Sequence, residues 1–251
     1  MSGDLVSLRI MVVSGSEPDR DLFRQGASGV AVPVDVVDAG NIGVACKMLA
    51  SEIDIAFVDA DIADAERAVF IAAARLARPA PFVIIFAPGP EDIGREEIRT
   101  TGIDGVVRKP TTPREAAAVV QRCSRLRLPT RVLVVDDSAT MRNIVRKMLV
   151  GGRFRLDIFE AKEGLDALKQ IANGKFDMVF LDYNMPGFNG LETLMEIKRQ
   201  YPNLQVVIMT SAQDDKISDR ARAGGAAAFL RKPFYPSDID AVLHSLLGLR
   251  R

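Results

Sequence analysis

The chain repeats one order of apolar runs and polar residues at an interval of 123 positions. The run Phe176–Asp182 corresponds to Ile53–Asp59, and each run ends in a carboxylate. Lys232 and Lys109, each followed by proline, are the same distance apart. Self-similarity over so long a period indicates tandem copies of one domain rather than a solenoid of small repeats. Each copy has about 120 residues, which is a common domain size.

Within each copy, short apolar runs alternate with segments of helical pattern. In the first copy, one of these helices is predicted at Glu91–Thr101. Strands that alternate with helices in this way form a parallel sheet covered on both faces, so the predicted fold class is α/β. The predicted domains are 1–126 and 131–251, joined by a linker at 127–130. The strands of the first copy are predicted at Leu8–Val13, Val32–Val37, Asp54–Asp59, Phe82–Phe86 and Gly105–Val107.

Composition excludes several classes of partner and location. Lys plus Arg and Asp plus Glu both number 33, and this balance argues against bulk electrostatic binding to nucleic acid. The N-terminus lacks the pattern of a signal peptide, and no apolar run reaches the roughly 20 residues that span a bilayer. Cys46 and Cys123 lack metal-ligand spacing and are expected to be reduced thiols. We therefore expect a cytoplasmic protein that binds neither nucleic acid nor membrane.

Polar side chains end the predicted strands of the second copy. In parallel sheets, these strand ends meet at one edge, where ligands bind. Three clustered carboxylates repel each other unless a cation relieves them, and Mg²⁺ suits such hard oxygen ligands. A lysine and a hydroxyl beside them would complete a phosphoryl site, with the central Asp182 as the nucleophile. The residues concerned are Asp136, Asp137, Asp182, Thr210, Ser211 and Lys232.

In order along the chain, these residues give the second copy its resemblance to a receiver domain of the two-component response-regulator family. The resemblance extends from about residue 130 to residue 250. It implies a flavodoxin-like (βα)5 fold with strand order 2-1-3-4-5. The motifs that carry it are Val135-Asp136-Asp137-Ser138, Leu181-Asp182-Tyr183-Asn184-Met185-Pro186-Gly187, Met209-Thr210-Ser211-Ala212 and Arg231-Lys232-Pro233-Phe234.

The resemblance also implies a chemistry and a partner. Asp182 would be phosphorylated by a sensor histidine kinase or a histidine phosphotransfer protein. Asp137, Asp182 and the backbone carbonyl of Asn184 would hold Mg²⁺, with Asp136 acting partly through water. The peptide bond from Lys232 to Pro233 is expected to be cis, and so is the bond from Lys109 to Pro110.

The family's switch pairs the hydroxyl at Thr210 with an aromatic residue three positions before the lysine, here Phe229. The resemblance implies that Thr210 moves toward the phosphoryl group and that Phe229 then rotates inward. This movement would change a surface formed by the fourth helix, fifth strand and fifth helix, from about Asp214 to Leu247. Such a switch is a two-state packing equilibrium biased by one new charge. The alternative for Phe229 is a plain core residue.

The first copy retains only part of this set. It keeps Asp59 and Lys109, but Ser14-Gly15 stands at the acid pair, Ala87 at Thr210 and Val106 at Phe229. We interpret it as a degenerate, phosphorylation-incompetent receiver, or pseudo-receiver, in which Asp59 pairs with Lys109. It would serve docking or dimerisation, with a homodimer left open. Its Ala-rich helices at 63–77 and 113–126 are candidate surfaces, although their alanines could simply pack on the sheet. Glu17 and Asp61 are the candidate substitute oxygens.

We therefore predict a response regulator that is not an enzyme, has no DNA-binding or enzymatic output domain, and acts on a downstream protein. The alternatives are a metal-dependent phosphatase, a phosphate-independent scaffold, or the receiver portion of a larger regulator such as a diguanylate cyclase. Asn184 disfavours the phosphatase, which normally needs a second acid there. His244, the only histidine, is expected to be a surface or half-buried residue rather than a relay histidine.

Overall fold

The computed structural model describes residues 7–89, 102–211 and 215–247. The chain divides into two compact units, and the division falls between Arg127 and Leu128, inside the stretch predicted as a linker. We call the N-terminal one unit 1 and the C-terminal one unit 2. Thr130, the last residue of the predicted linker, already belongs to the first strand of unit 2. Among the described residues, no helix is long and apolar enough to cross a membrane.

Unit 1 alternates strands and helices, as the sequence predicts. The helix expected at 91–101 lies outside the described residues. The elements are β1 (Leu8–Val13), α1 (Glu17–Ala27), β2 (Val34–Ala39), α2 (Ile42–Met48), β3 (Ile55–Asp59), α3 (Asp64–Leu76), β4 (Phe82–Ala87), β5 (Gly105–Arg108) and α4 (Pro113–Ser124).

Unit 2 follows the same order of elements. They are β6 (Thr130–Val135), α5 (Ala139–Val150), β7 (Leu156–Ala161), α6 (Gly164–Asn173), β8 (Met178–Asp182), α7 (Gly190–Gln200), β9 (Gln205–Thr210), α8 (Asp215–Ala223), β10 (Ala228–Arg231) and α9 (Pro236–Leu246).

Each unit contains one five-stranded sheet in which every strand pair is parallel. The orders are β2-β1-β3-β4-β5 in unit 1 and β7-β6-β8-β9-β10 in unit 2. Both are the flavodoxin-like order 2-1-3-4-5, so the predicted fold is confirmed for both units. In this order the first strand of each unit lies beside the third, with Val135 opposite Leu181 in unit 2. The carboxyl ends of these two strands therefore meet at one edge.

Apolar strands form the centre of each unit. All five residues of β3 and all five of β8 are buried, including the terminal aspartates Asp59 and Asp182. In unit 1, the ring of Phe23 packs 4.9 Å from that of Phe57 and 5.2 Å from that of Phe86. Burying such rings contributes roughly 1.5–3 kcal/mol per side chain, and this rigid core fixes where the polar strand ends lie.

Two sequence-based expectations about local structure are wrong. The Lys232–Pro233 peptide is cis as expected, but the Lys109–Pro110 peptide is trans. His244 is fully buried rather than exposed or half-buried, because it lies on the inner face of α9 and its ring stands edge-on to Phe154 at 4.9 Å. Its Nδ1 is 2.7 Å from the backbone carbonyl of Asp240. This histidine is a packed core residue.

Candidate functional site

Three carboxylates meet at the carboxyl end of the unit 2 sheet. Asp136 follows β6, Asp182 ends the adjacent β8, and Asp137 lies next to Asp136 along the chain. One oxygen from each of the three lies within 4.8 Å of the others, and this is the only such acidic group found among the described residues. Asp136 and Asp182 are buried, whereas Asp137 is exposed. The cluster therefore has a closed side and a side open to solvent.

Lys232 bridges the two buried carboxylates. Its Nζ donates to Asp136 Oδ2 at 2.8 Å and to Asp182 Oδ1 at 2.9 Å. The backbone N–H of Lys232 donates to the Thr210 carbonyl at 2.7 Å, which fixes the residue at the end of β10. One ammonium cannot neutralise three carboxylates, so the cluster keeps an excess of negative charge.

The crowding of charges shifts the pKa values of both Asp182 and Lys232. Burial raises the pKa of Asp182, an effect that Lys232 only partly offsets and that the Asp136 charge reinforces. Burial also works against the charged form of Lys232, but the hydrogen bonds and charges of Asp136 and Asp182 outweigh it and raise the lysine's pKa. Both shifts indicate a site that a further cation would stabilise.

Helix α5 begins directly beside Asp136 and holds it in place. Ser138 is the N-cap of α5, and its hydroxyl accepts a hydrogen bond from Met141 N at 3.3 Å. The backbone N–H of Ser138 donates to Asp136 Oδ1 at 2.9 Å, and Arg142 donates to the Asp136 carbonyl at 2.8 Å. These contacts fix the position of Asp136 at the start of α5.

The loop after Asp182 is held against the start of α7, where Gly190 leaves no room for a side chain. A Cβ at Gly190 would lie 2.3 Å from the Asp182 carbonyl oxygen and 2.6 Å from the Tyr183 Cα. The Gly190 N–H donates to the Tyr183 carbonyl at 3.1 Å, and Asn189 and Glu192 form a capping box. Sequence analysis did not identify Gly190, because a close approach between backbones has no local signal.

The remaining predicted residues lie on neighbouring strands. Thr210 ends β9 and is buried, and Asn184 Nδ2 donates to Ser211 Oγ at 3.1 Å. Phe229 lies on β10 opposite Ile208 and is half-buried against the core. The structure thus places Thr210 at the acidic edge and Phe229 two residues before Arg231, the strand partner of Thr210. The output surface predicted from Asp214 falls on α8, β10 and α9, with residues 212–214 outside the described ones.

Unit 1 has a different arrangement at the equivalent edge. Lys109 Nζ lies 2.8 Å from Asp19 Oδ2, 3.1 Å from Asp61 Oδ2 and 3.2 Å from Asp59 Oδ2. The hydroxyl of Ser14 donates to Asp59 Oδ2 at 2.6 Å. Burial opposes the charge on Lys109, but the three carboxylates together raise its pKa. Here one ammonium lies among three acidic side chains.

Asp19 is the residue of this set that sequence analysis missed. The sequence suggested Glu17 and Asp61 as substitute oxygens, and of these only Asp61 contacts Lys109. Asp19 lies in the first turn of α1, where an acid is also favoured by the helix dipole. That position was the only sequence signal, and it does not distinguish Asp19 from Glu17.

The donor set of unit 2 fits a divalent cation of the magnesium type. Asp136, Asp137 and Asp182 offer hard carboxylate oxygens at one partly open edge, and Mg²⁺ takes few protein ligands while keeping several waters. In the described part of unit 1, no three acidic groups gather in this way. The two described copies of the fold therefore differ in whether they bring three carboxylates close together.

Comparison with known proteins agrees with this geometry. The response regulator receiver domain family matches residues 132–244. Chemotaxis protein CheY-3 of Vibrio cholerae is 37% identical over 119 residues, which are 46% of this chain and 90% of that protein. The cyclic di-GMP phosphodiesterase response regulator RpfG of Xanthomonas campestris is 30% identical over 126 residues, which are 49% of this chain and 33% of that protein.

A solved structure extends the likeness in fold to both units. A two-component system response regulator/GGDEF domain protein aligns with 95% of this chain and 99% of its own, with a TM-score of 0.51 and 23% identity. This likeness concerns the fold alone. The chain spans between 20% and 51% of the length of the first curated relatives that it matches. Because it covers nearly all of a 37% identical receiver protein, the chain belongs to the response-regulator receiver family.

Proposed function

We propose that unit 2 is the phosphoacceptor domain of a two-component response regulator and that Asp182 accepts the phosphoryl group. The donor would be a sensor histidine kinase or a histidine phosphotransfer protein, the partners with which receiver domains interact. The observation that carries this proposal is the meeting of Asp136, Asp137 and Asp182 around the ammonium of Lys232. This combination supplies a nucleophile, acidic metal ligands and a fixed positive charge in one place.

The side chains would act in the following way. A carboxylate oxygen of Asp182 attacks phosphorus, forming an O–P bond as the P–N bond to the donor imidazole breaks, and the electron pair leaves with the imidazole. Lys232, already 2.9 Å from Asp182, would stabilise negative charge on the phosphoryl oxygens, and Thr210 would donate a hydrogen bond to one of them.

Mg²⁺ would be held by Asp136, Asp137, Asp182 and the backbone carbonyl of Asn184, and its charge would screen the incoming phosphoryl group. The protein would assist its own phosphorylation and dephosphorylation without turning over an external substrate. It is thus proposed as a signalling switch rather than an enzyme.

The output would be a change of surface. Thr210, buried at the end of β9, would move toward the phosphoryl group, and Phe229 on β10 would rotate into the space it leaves. The half-buried position of Phe229 supports this role, because such a ring has both an inward and an outward alternative. The surface of α8, β10 and α9 would then bind or release a downstream protein.

Unit 1 would serve protein contact without carrying a phosphoryl group. Its Lys109 is already surrounded by Asp19, Asp59 and Asp61, and Ser14 replaces the first acid of the pair. Without an acidic cluster of the unit 2 kind, an incoming phosphoryl group would meet unscreened negative charge. The proposal assigns unit 1 a docking or dimerisation role.

The test is phosphoryl uptake from acetyl phosphate with Mg²⁺, followed by intact-mass measurement. The full chain and Asp59→Asn should each gain one phosphoryl group, whereas Asp182→Asn should gain none. Asp59 is a matched control, because it occupies the same position at the end of the central strand of unit 1. Uptake by Asp182→Asn but not by Asp59→Asn would reverse the assignment. No uptake by any form would favour the phosphate-independent scaffold.

A second candidate follows from how little of its relatives the chain spans. It would be the receiver portion of a larger regulator such as a diguanylate cyclase, since the chain spans only 33% of the response regulator RpfG. In that case unit 2 would keep the same chemistry, and its switched surface would act on a linked domain. The phosphorylation test applies equally to this candidate.

A further inference from the structure

Helix α3 of unit 1 exposes a continuous apolar face. Val69 is 60% exposed, and Leu76, at 79%, is the most exposed large hydrophobic residue among those described. Residues at spacings of three, four and seven lie on one side of a helix, so these two share a face with neighbouring alanines. We call this set the α3 face; its members, all exposed, are Ala65, Ala68, Val69, Ala72 and Leu76.

The same helix in unit 2 provides an internal comparison. At the 123-residue interval, Val69 corresponds to Glu192 and Leu76 to Arg199, and both of these are exposed. Only Met195, which corresponds to Ala72, is a large apolar residue on the outer face of α7. At the same two solvent-facing positions, unit 2 thus carries charged residues and unit 1 carries apolar ones. The apolar set in unit 1 is therefore not a requirement of the fold.

The sizes and charges along α3 indicate what could cover its face. If a second α3 ran antiparallel across it, about an axis between residues 70 and 71, the exposed Leu76 would lie opposite Ala65 of the partner subunit. Val69 would lie opposite Ala72 of the partner subunit. Each large side chain would meet a small one, which allows two helices to pack closely.

The charges fit the same arrangement. The exposed Glu66 lies in the first turn of α3, and the exposed Arg78 lies just beyond its last turn. The other charges at these two ends, Asp64 and Arg75, already pair with Arg67 and Asp104 within unit 1. An antiparallel pair would place the acidic end of each helix beside the basic end of the other, and the two helix dipoles would oppose each other. A parallel pair would bring like charges together. Charge and size thus favour the same antiparallel partner.

We infer that the α3 face is an interface with a second copy of this chain, formed by antiparallel pairing of two α3 helices. The inference rests on the proposed contact role of unit 1 and names its surface and its partner. A pair of 13-residue helices is small against the roughly 1,200–2,000 Å² of stable interfaces, so we expect a weak dimer with a Kd on the order of 100 µM. Such a dimer would form readily only where the chain is locally concentrated.

The experiment is sedimentation velocity of the full chain over a concentration series that brackets this Kd. The test variant combines Val69→Glu with Leu76→Arg, which transplants the outer residues of α7 onto α3. Because the same fold already exposes glutamate and arginine at these positions, the variant should fold, and far-UV circular dichroism checks this. We expect reversible dimerisation of the wild type and at least a tenfold weaker association of the variant.

Two controls sharpen the result. Met195→Glu changes the equivalent helix in unit 2 and should leave association unchanged. Glu66→Arg and Arg78→Glu should each weaken association, and their combination should restore part of it if the helices are antiparallel. A monomeric wild type throughout the series would overturn the inference and leave the face for a different protein. A dimer that persists in the Val69→Glu, Leu76→Arg variant would overturn it as well.

Phosphoryl uptake separates this inference from the proposed function. The Val69→Glu, Leu76→Arg variant should still accept one phosphoryl group from acetyl phosphate, since its changes lie outside unit 2. Loss of association with intact uptake would support both statements. Absent uptake in the wild type would refute the phosphoacceptor proposal while leaving the dimer measurement valid.

Discussion

Removing one carboxylate from each unit should change stability in opposite directions when no divalent cation is present. Asp182→Asn in unit 2 should stabilise, and Asp59→Asn in unit 1 should destabilise. The two residues end equivalent central strands and differ in their neighbours. A comparison of the two variants therefore tests the electrostatic argument directly.

The magnitude in unit 2 follows from distances. With an oxygen of Asp182 within 4.8 Å of one from each neighbouring acid, every pair repels by at least about 3.5 kcal/mol at an effective dielectric constant of 20. Attraction to Lys232 at 2.9 Å contributes about 6 kcal/mol on the same scale, and burial of the charge opposes ionisation further. An asparagine still accepts a hydrogen bond from Lys232. Allowing for the exposure of Asp137, we expect stabilisation of about 1–2 kcal/mol.

In unit 1, the corresponding change, Asp59→Asn, should lower the free energy of unfolding. Asp59 accepts a hydrogen bond from Ser14 at 2.6 Å and lies 3.2 Å from Lys109. Its charge is thus favoured by two neighbours, while the nearby acids, Asp19 and Asp61, share the same ammonium. Losing one charged partner of a partly buried ammonium should cost about 1 kcal/mol.

The chain offers separate optical probes for this measurement. It has no tryptophan and three tyrosines, and Tyr183, Tyr201 and Tyr235 all lie in unit 2. Tyrosine fluorescence during urea unfolding therefore reports on unit 2, and far-UV circular dichroism reports on both units. Adding Mg²⁺ at tenfold its Kd should stabilise unit 2 of the wild type by about 1.4 kcal/mol. Asp182→Asn should lose this gain, and Asp59→Asn should keep it.

One result would refute the reasoning. If Asp182→Asn lowered the tyrosine-reported stability in the absence of divalent cations, the contact with Lys232 would outweigh the repulsion and burial. The contact with Lys232 would then be enough to stabilise the ionised Asp182, and the need for a metal would lose its physical basis.

Three further predictions concern single residues. Gly190→Ala should destabilise unit 2 by about 3 kcal/mol in the same unfolding assay, because the added Cβ meets the Asp182 carbonyl oxygen at 2.3 Å and no flexible side chain can yield; unchanged stability would contradict the close approach. Lys232→Met should slow phosphoryl uptake from acetyl phosphate on the order of 100-fold, and an unchanged rate would exclude a role of its charge. Burial raises the pKa of Cys123 to about 12, so its thiol should react with a disulfide reagent only in denaturant, and equal reaction in the native chain would contradict its burial. This folded-state pKa lies above the unfolded value of about 8.5, so the stability that Cys123 contributes is fully present below pH 8.5 and is lost as the pH rises toward 12. The free energy of unfolding should fall by up to about 1.4 kcal/mol per pH unit in this range. Cys123→Ser should remove this fall when urea unfolding is measured across the same pH range.

The parts of the site that sequence predicted are those fixed by strand direction. Asp182 and Thr210 each end a strand and Asp136 directly follows one, and parallel strands bring their carboxyl ends to one edge whatever the details of packing. Lys232 follows the last strand and reaches the same edge. These placements need only the alternation of strands and helices, which the apolar pattern reveals.

The parts of the site that the sequence did not predict depend on distances between separate helices and strands. The contact of Asp19 with Lys109 requires the position of α1 relative to β5, and the crowding at Gly190 requires the approach of α7 to the β8 loop. The burial of His244 depends on which face of α9 meets Phe154. The pattern of residues along the chain indicates the period and the helix or strand propensity of each segment. The distances between segments are set by the packing of the whole core.

The two units differ in how they accommodate acidic side chains at the carboxyl edge of the sheet. A parallel sheet of this order brings its strand ends together, and both chain copies place an acid there, at Asp59 and Asp182. In unit 1, Ser14-Gly15 stands at the acid pair, and the ammonium of Lys109 contacts three acidic side chains that do not form a close cluster of the unit 2 kind. In unit 2, Asp136, Asp137 and Asp182 crowd around the single ammonium of Lys232, and in the proposed function a cation from outside the chain would relieve their repulsion. Under this proposal the edge would respond to ligands, because a group that binds beside the cation would change the balance of packing around it.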